Sequence, residues 1–273
     1  MPYLSLADLE AAARERLPAT TTDYFAGGAE DEVTVRENRA AWERIALRPR
    51  YLVDVSTRDL TTSILGEPLA FPLLIAPTAF QQLAHPEGEL ATAKAAGAAG
   101  VGMILSTFST TRMEEVRSAT AGPAWFQLYV HKDREITRGL VQRAEAAGYG
   151  AIVLTVDVPV LGRRERDIRN GFALPPEMRI ANLLEEDQRR LHDGEGDSGL
   201  AAFHRGLREP SLTFADLEWL ASLTRLPVLV KGVLRGDDAC RCLDHGARGV
   251  MVSNHGGRQL DGAGTAQPLA GCA

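Results

Sequence analysis

From residue 70 onward, short apolar runs alternate with helical stretches, and this alternation constrains the fold more than any other feature of the sequence. The apolar runs, rich in β-branched residues, lie at 71–76, 101–105, 124–129, 151–156, 227–230 and 249–252. The helical stretches lie at 88–99, 113–119, 134–147, 214–223 and 236–245. Continuous apolar strands joined by helical crossovers are typical of a parallel sheet covered by helices. The sequence therefore predicts an α/β fold.

Each predicted strand ends in, or is followed by, residues suited to a binding site. They are Pro77, Thr78 and Ala79; Ser106 and Thr107; Gln127 and Tyr129; Thr155 and Asp157; Lys231; and Ser253 with His255. In a (β/α)8 barrel the carboxyl ends of all the strands open on one mouth, where active sites are built. An open doubly wound sheet would use mainly the strand ends near one switch point. Functional groups on six strands therefore favour a (β/α)8 TIM barrel.

A single domain is expected, because 273 residues is an ordinary length for an α/β barrel. Ser5 and Asp8 match a capping box ahead of an Ala-rich run, so the N-terminal part is expected to be helical. The charged, Gly-rich stretch after the fourth strand is expected to be a mobile loop. The predicted segments are a helical cap over 1–69, a partial barrel over 70–262, the mobile loop over 175–210 and an atypical tail over 263–273.

Charge and composition argue against several classes of function. The formal net charge of -6 argues against nucleic acid or an anionic membrane as the main partner. No apolar run approaches the roughly 18 residues of a membrane span, and the N-terminus has no signal-peptide pattern. Cys240, Cys242 and Cys272 lack metal-ligand spacing and are expected to be reduced thiols of a cytoplasmic protein. No cluster of His, Asp and Glu has metal-ligand spacing, so no metal is expected.

His255 and Arg258 form the most informative pair in the sequence. They lie in the segment Ser-Asn-His-Gly-Gly-Arg-Gln-Leu-Asp-Gly that follows the last predicted strand. A histidine there can move a proton, and a carboxylate such as Asp157 on another strand end would orient its ring. An arginine can bind a carboxylate through two parallel hydrogen bonds. The alternatives are a histidine with no chemical role at a strand end and an arginine in a surface ion pair.

Lys231 ends an otherwise apolar strand, where a lysine is costly to desolvate unless it meets an anion. A reduced flavin carries such negative charge at its N1–C2=O edge. The alternatives are a Schiff-base lysine, as in aldolase-type barrels, and a structural ion pair. Ser106, Gln127 and Thr155 are neutral donors and acceptors, which suit the edge of a heteroaromatic ring better than a phosphate or a metal.

Six motifs in one order resemble those of the FMN-dependent 2-hydroxy-acid oxidase and dehydrogenase family, which includes glycolate oxidase, lactate oxidase and mandelate dehydrogenase. The motifs lie at 76–79, 84–89, 125–129, 154–159 with 161–164, 230–233 and 253–259. The similarity extends from about residue 3 to Gly262. The last motif is highly specific.

The resemblance implies a role for each matching residue. His255 would be the catalytic base and Asp157 its partner, and Tyr129 would face the substrate hydroxyl and the developing carbonyl oxygen. Tyr24, Arg164 and Arg258 would hold the substrate carboxylate. The positions that would contact FMN are Pro77, Thr78, Ala79, Ser106, Gln127, Thr155, Lys231 and Ser253.

The resemblance also implies the reaction and its partners. Family members oxidise an (S)-2-hydroxy acid to a 2-oxo acid with reduction of FMN. Oxidases pass the electrons to O2 and form H2O2, whereas dehydrogenases use another acceptor. Tetramers are usual in the family. We expect Phe108, together with Phe80, to shape the pocket for the substrate side chain.

The family also has segments that this sequence does not contain. Its members continue for about two more β/α units, which supply an Asp-Gly-Gly-x-Arg segment and a Gly-Arg pair that bind the FMN phosphate. Only about six of the eight barrel strands are predicted here, so we expect an incomplete barrel from a truncated or frame-shifted chain, or a fragment. An inactive remnant and an aldolase-type barrel using Lys231 are the alternatives to an FMN enzyme.

Overall fold

The structure is a computed structural model that describes residues 3–183 and 209–264. Its N-terminal part contains α1 (Leu6–Arg16), α2 (Ala19–Ala26), α3 (Val33–Glu43), β1 (Thr62–Ile64) and β2 (Glu67–Leu69). The rest contains β3 (Leu74–Ile75), α4 (Gly88–Ala99), β4 (Gly102–Leu105), α5 (Met113–Ser118), β5 (Ala124–Leu128), α6 (Arg134–Ala147), β6 (Ile152–Thr155), α7 (Glu165–Arg169), α8 (Phe214–Ser222), β7 (Val228–Val233), α9 (Gly236–Asp244) and β8 (Gly249–Val252). Two single turns of 3-10 helix lie at Gln81–Leu83 and His255–Gly257.

The centre of the fold is one parallel sheet in the order β3-β4-β5-β6-β7-β8. Every neighbouring pair of these strands is parallel, and the sheet curls into a half-barrel. All residues of β4, β5 and β6 are buried, because helices cover one face and the barrel interior covers the other. The prediction of an incomplete (β/α)8 TIM barrel with six strands is therefore confirmed.

The bounds of α4, α6 and β8 match the sequence prediction at both ends. α6 begins after Asp133, whose side chain accepts a hydrogen bond from the Glu135 amide, and ends at Gly148 with a positive φ of 85°. β3 is shorter than predicted, because Pro72 and Pro77 flank it and cannot donate to a ladder. β7 is longer than predicted and continues to Val233 through a shift of register.

The N-terminal part, which was predicted to be helical, contains three helices among its described residues and one feature that was not expected. The capping box of Ser5 and Asp8 forms at the start of α1. β1 and β2 pair antiparallel in a hairpin. The hairpin packs against the sheet, because Trp125 Nε1 on β5 donates to Glu67 Oε2 at 2.8 Å. The division into cap, barrel, loop and tail stays a prediction.

Two other sequence predictions have different outcomes. Most of the predicted mobile loop at 175–210 lies outside the described residues, which stop at Leu183 and resume at Glu209. In the described part before Leu183, Asn182 Oδ1 accepts a hydrogen bond from the Met113 amide at 2.8 Å. The prediction of three reduced cysteines is wrong for Cys240, which is disulfide-bonded. Cys242 is a free, buried thiol. Spacing alone could not predict this difference, because pairing depends on which cysteines the fold brings together.

Within the described residues, no helix has both the length and the apolar character needed to cross a membrane. These described residues also include no group of three or more His, Cys, Asp or Glu side chains placed to hold a metal ion.

Candidate active site

A cavity of about 290 Å³ lies at the carboxyl ends of the strands, as a barrel fold requires. Eleven of the fourteen predicted site residues line it. They are Tyr24, Pro77, Thr78, Ala79, Ser106, Gln127, Tyr129, Thr155, Arg164, His255 and Arg258. The other three, Asp157, Lys231 and Ser253, do not line the cavity. They lie behind its wall and contact His255 or one another.

His255 is held by Asp157 across the mouth of the barrel. His255 Nδ1 lies 2.7 Å from Asp157 Oδ1, and this contact leaves Nε2 for a ligand in the cavity. Burial lowers the pKa of His255; the hydrogen bond to Asp157 opposes the shift, and the charge of Lys231 adds to it. The imidazole is therefore neutral near pH 7 and can accept a proton.

Lys231 is a buried cation behind the cavity. Its Nζ donates to Ser253 Oγ at 3.1 Å and lies 3.8 Å from Asp157 Oδ2. Burial lowers the pKa of the Lys231 ammonium, and the Asp157 carboxylate opposes the shift. The structure thus places a positive charge beside the histidine–carboxylate pair, and Asp157 is an anion that this buried lysine meets.

Arg164 and Arg258 bring two part-buried guanidinium groups to one side of the cavity. Arg258 Nη1 donates to Phe25 O at 3.2 Å and to Gly27 O at 2.6 Å, and its guanidinium carbon lies 5.4 Å from the Tyr24 ring centre. Burial lowers the pKa of Arg258 to about 10, and the like charge of Arg164 adds to the shift. Arg258 is therefore still cationic at neutral pH, and this side of the cavity attracts an anion.

Asp167 is a buried carboxylate near the two arginines that the sequence analysis missed. It lies on α7, three residues after Arg164, and its side chain is buried. Burial raises the pKa of the Asp167 carboxyl, and the charges of Arg164 and Arg258 oppose the shift. The spacing of Arg164 and Asp167 on one short segment was the only sequence signal that could have found it.

A row of neutral polar side chains lines the cavity along three neighbouring strands. Gln127 Nε2 donates to Thr155 Oγ1 at 3.0 Å, and Gln127 Oε1 accepts from the Thr107 amide at 3.2 Å. Ser106 Oγ lies 3.4 Å from the same oxygen. Donors and acceptors in one buried row match the polar edge of a planar heterocycle, and Lys231 lies behind them. The residues present therefore fit an isoalloxazine ring.

Aromatic rings form the apolar wall of the cavity. Phe80 stacks on Phe108 with ring centres 6.1 Å apart, and Phe108 lies 5.2 Å from Tyr129. Tyr24, whose ring centre lies 6.3 Å from that of Phe80, stacks on Phe172 at 4.7 Å with nearly parallel planes. Phe172 was not predicted, because the stacking pairs residues from segments far apart in sequence.

α7 fixes the position of α2, and therefore that of Tyr24. Arg166 Nη1 lies 3.4 Å from Asp23 Oδ1, and Asn170 Nδ2 donates to Asp23 Oδ2 at 2.6 Å. Asp23 precedes Tyr24 on the same helix. The contacts explain how a side chain from the N-terminal part reaches the barrel mouth.

Comparison with known proteins gives a consistent result. Residues 13–269 match the family described as FMN-dependent dehydrogenase. The chain is 56% identical to an L-lactate oxidase of Nostoc sp. over 264 residues, which cover 95% of this chain and 72% of that protein. It is 51% identical to a glycolate oxidase of Spinacia oleracea, covering 96% of this chain and 70% of that protein.

Solved structures give the same assignment. A crystal structure of mandelate oxidase with (S)-4-hydroxymandelic acid superposes with a TM-score of 0.91 at 46% identity, covering 96% of this chain and 73% of the other. A mandelate oxidase variant described with a C4a-OH-FMN adduct superposes with a TM-score of 0.83 at 43% identity over 95% of this chain and 71% of the other. The chain is therefore an enzyme of the FMN-dependent dehydrogenase family, with FMN as its cofactor.

Proposed function

We propose that the chain oxidises a small (S)-2-hydroxy acid to the 2-oxo acid and that O2 is the final electron acceptor. The substrate loses two electrons and two protons, and O2 takes up both to give H2O2. The observation that carries the proposal is the arrangement of the His255–Asp157 pair and two part-buried arginines around one cavity. The relatives named L-lactate oxidase, glycolate oxidase and mandelate oxidase support this class of reaction.

In this proposal the arginines bind and the histidine moves a proton. Arg258, with Arg164 and Tyr24, binds the substrate carboxylate, because paired guanidinium groups favour a bound anion. His255 Nε2 takes a proton from the substrate, and Asp157 orients the ring and stabilises the imidazolium that forms. Tyr129 faces the substrate oxygen that becomes the carbonyl.

The residues proposed to hold FMN are the polar row and the strand end that adjoins it. Ser106, Gln127 and Thr155 would contact the edge of the ring, Pro77, Thr78 and Ala79 line the same cavity, and Lys231 with Ser253 lies behind it. FMN supplies the two-electron acceptor of the reaction. A positive charge at Lys231 stabilises negative charge that develops near it, at about 1 kcal/mol or more in a partly desolvated site.

The proposal is tested by the absorption spectrum of the purified chain after incubation with FMN. We expect a bound flavin spectrum that bleaches when (S)-lactate is added under argon and returns in air with formation of H2O2. The control is Arg258→Met, which should bind flavin and bleach only at much higher substrate concentration. Bleaching without recovery in air would replace O2 by another acceptor. A bound flavin that no 2-hydroxy acid bleaches would refute the proposal.

The two alternatives predict other results. An inactive remnant would bind no flavin even with FMN in excess. An aldolase-type barrel would need Lys231 Nζ to reach a substrate carbonyl, but this atom bonds Ser253 and Lys231 does not line the cavity. Borohydride trapping of a substrate on Lys231 without flavin would favour that alternative.

A further inference from the structure

The turn that carries His255 has an unusual backbone. His255, Gly256 and Gly257 have positive φ angles of 58°, 68° and 74° in succession. A left-handed conformation costs free energy for a residue with a side chain, and such strain persists only where the surroundings hold it. The turn also follows β8, which is the last strand of the sheet order. Contacts from another part of the molecule must therefore hold it.

An amide pair connects this turn to helix α3. Asn38 Nδ2 donates to Asn254 Oδ1 at 3.1 Å, and Asn254 Nδ2 donates back to Asn38 Oδ1 at 2.6 Å. Asn254 is buried, and its Oδ1 also accepts from the Gly257 amide at 3.2 Å. Asn254 thus bonds α3 on one side and closes the turn around His255 on the other.

Two further contacts hold the turn against the first turn of α3. Asp261 accepts from the amides of Val33 at 3.1 Å and Thr34 at 2.7 Å. It thus caps a helix whose own N-cap residue makes no side-chain capping hydrogen bond to the helix. A Cβ placed on Gly257 would lie 2.7 Å from the amide nitrogen of Val35. The turn and the helix therefore touch through their backbones, with no room for a side chain between them.

We propose that Asn38 is a positioning residue for His255, which it holds through Asn254 in the conformation that presents the imidazole to Asp157 and to the cavity. The inference rests on the proposed role of His255 as the base. Asn38 does not line the cavity and contacts no group that does chemistry in the proposed reaction. Its effect passes through the turn alone.

The side-chain chemistry of position 38 decides which variants test this role. Asn38→Ala removes both hydrogen bonds and keeps a residue that favours helix. Asn38→Asp keeps the acceptor for Asn254 Nδ2. Its second carboxylate oxygen, however, would face Asn254 Oδ1, and these two acceptor atoms have no proton to share. Arg39→Ala is the matched control, because Arg39 is the neighbouring residue of α3 and its side chain is exposed.

The measurement is the NMR titration of the His255 ring in the full chain, without FMN or substrate, with the signal assigned by His255→Gln. The charged groups that face the ring are Asp157, Lys231 and Arg164. In the wild type the midpoint should lie below about 6.5, because the ring is buried. In Asn38→Ala and Asn38→Asp we expect it to rise by about 0.5 unit or more as water reaches the ring. Arg39→Ala should leave it unchanged.

A merely structural role would give a different result. Asn38→Ala would then lower the melting temperature and leave the His255 midpoint at the wild-type value, and that outcome overturns the proposal. If the variants do not fold, the same pH titration of the wild-type protein tests the proposal. The side-chain amide signals of Asn38 and Asn254 should then shift with the midpoint of His255, and an Asn38 signal independent of it overturns the proposal. Because neither readout needs oxidase activity, failure here is distinct from failure of the proposed function.

Discussion

At the scale of single residues, the site depends on three charged or titratable groups that share a buried volume. Burial lowers the pKa of both His255 and Lys231, and Asp157 opposes both shifts. Folding therefore keeps the imidazole neutral and ready to accept a proton. The free energy of unfolding should fall as the pH drops below about 6.5, because the unfolded chain binds the His255 proton more readily than the folded one.

Asp157→Asn tests how far Asp157 opposes the lowering of the His255 pKa by burial. The amide removes the charge that favours imidazolium, so the pKa of His255 should fall further and the acid limb of kcat/KM should move to lower pH. The maximal rate should fall by about 100-fold, since proton transfer loses the group that orients and stabilises the ring. Asp237→Asn, an exposed position on α9, is the matched control. A profile with an unmoved acid limb would contradict this account of the pair.

Phe108→Ala tests how the apolar wall selects the substrate side chain. Phe108 is buried between Phe80 and Tyr129, so its removal opens space where a bulky side chain would lie. The ratio of kcat/KM for (S)-mandelate to that for glycolate should rise by about 10-fold or more. Phe214→Ala, in a half-buried ring on α8 outside the cavity, should leave the ratio unchanged. An unchanged ratio in Phe108→Ala would count against a role in selection.

At the scale of elements, Glu89 of α4 joins two of the segments that carry the aromatic wall. Its carboxylate accepts from the amides of Gln81 at 3.2 Å and Thr110 at 3.0 Å and from the hydroxyls of Thr110 at 2.5 Å and Thr111 at 3.1 Å. The side chain is fully buried. Four bonds to neutral donors compensate a carboxylate that has left water.

Glu89→Gln should therefore destabilise the fold by about 1–3 kcal/mol, because one acceptor oxygen becomes an NH2 group that faces other donors. Urea unfolding measures the change. Glu87→Gln is the control, since Glu87 lies two residues earlier and is bonded only at the surface, to Lys94 at 2.8 Å. Equal losses in the two variants would show that the buried network adds nothing beyond a surface ion pair.

The elements that the sequence predicts well are those whose signals are local. α4 and α6 have helical periodicity and end at glycines, and their bounds match at both ends. α7 has only five residues, and the β1–β2 hairpin has strands of three, so neither offers enough periods for a pattern to stand out.

The site shows the same division between local and distant signals. Residues at strand ends, such as Gln127 and His255, could be found because parallel strands bring their ends together. Tyr24 came only from the resemblance to a family, since its position depends on contacts between α2 and α7. Asn38 was missed because it acts on a residue that a distant segment supplies, and single-sequence patterns carry no signal for such a pair. For Asp167 the only signal was its spacing from Arg164 on one short segment.

At the scale of the whole molecule, the central strands of the sheet are more deeply buried than its two edge strands, β3 and β8. Among residues 3–183 and 209–264, β3 and β8 each pair with a strand on one side only. The residues of β4, β5 and β6 are all buried, whereas those of β3 and β8 are all partly exposed. The chain also covers only 70–73% of the length of the relatives described above. His255 thus follows a strand that has an open edge within this part of the chain.

The exchange rates of backbone amide hydrogens should differ between the central and the edge strands. Amides of β5 exchange only when the centre of the sheet opens, whereas those of β8 can exchange by local separation from β7, which costs less free energy. We therefore expect β8 to exchange at least about 10-fold faster than β5 in the free chain, as measured by mass spectrometry of peptic fragments. Equal protection of the two strands would contradict an open edge at β8 and would mean that another segment pairs with it. If β8 does open first, the His255 turn separates from Asp157 before the barrel unfolds, and proton transfer should be lost at a lower denaturant concentration than the secondary structure.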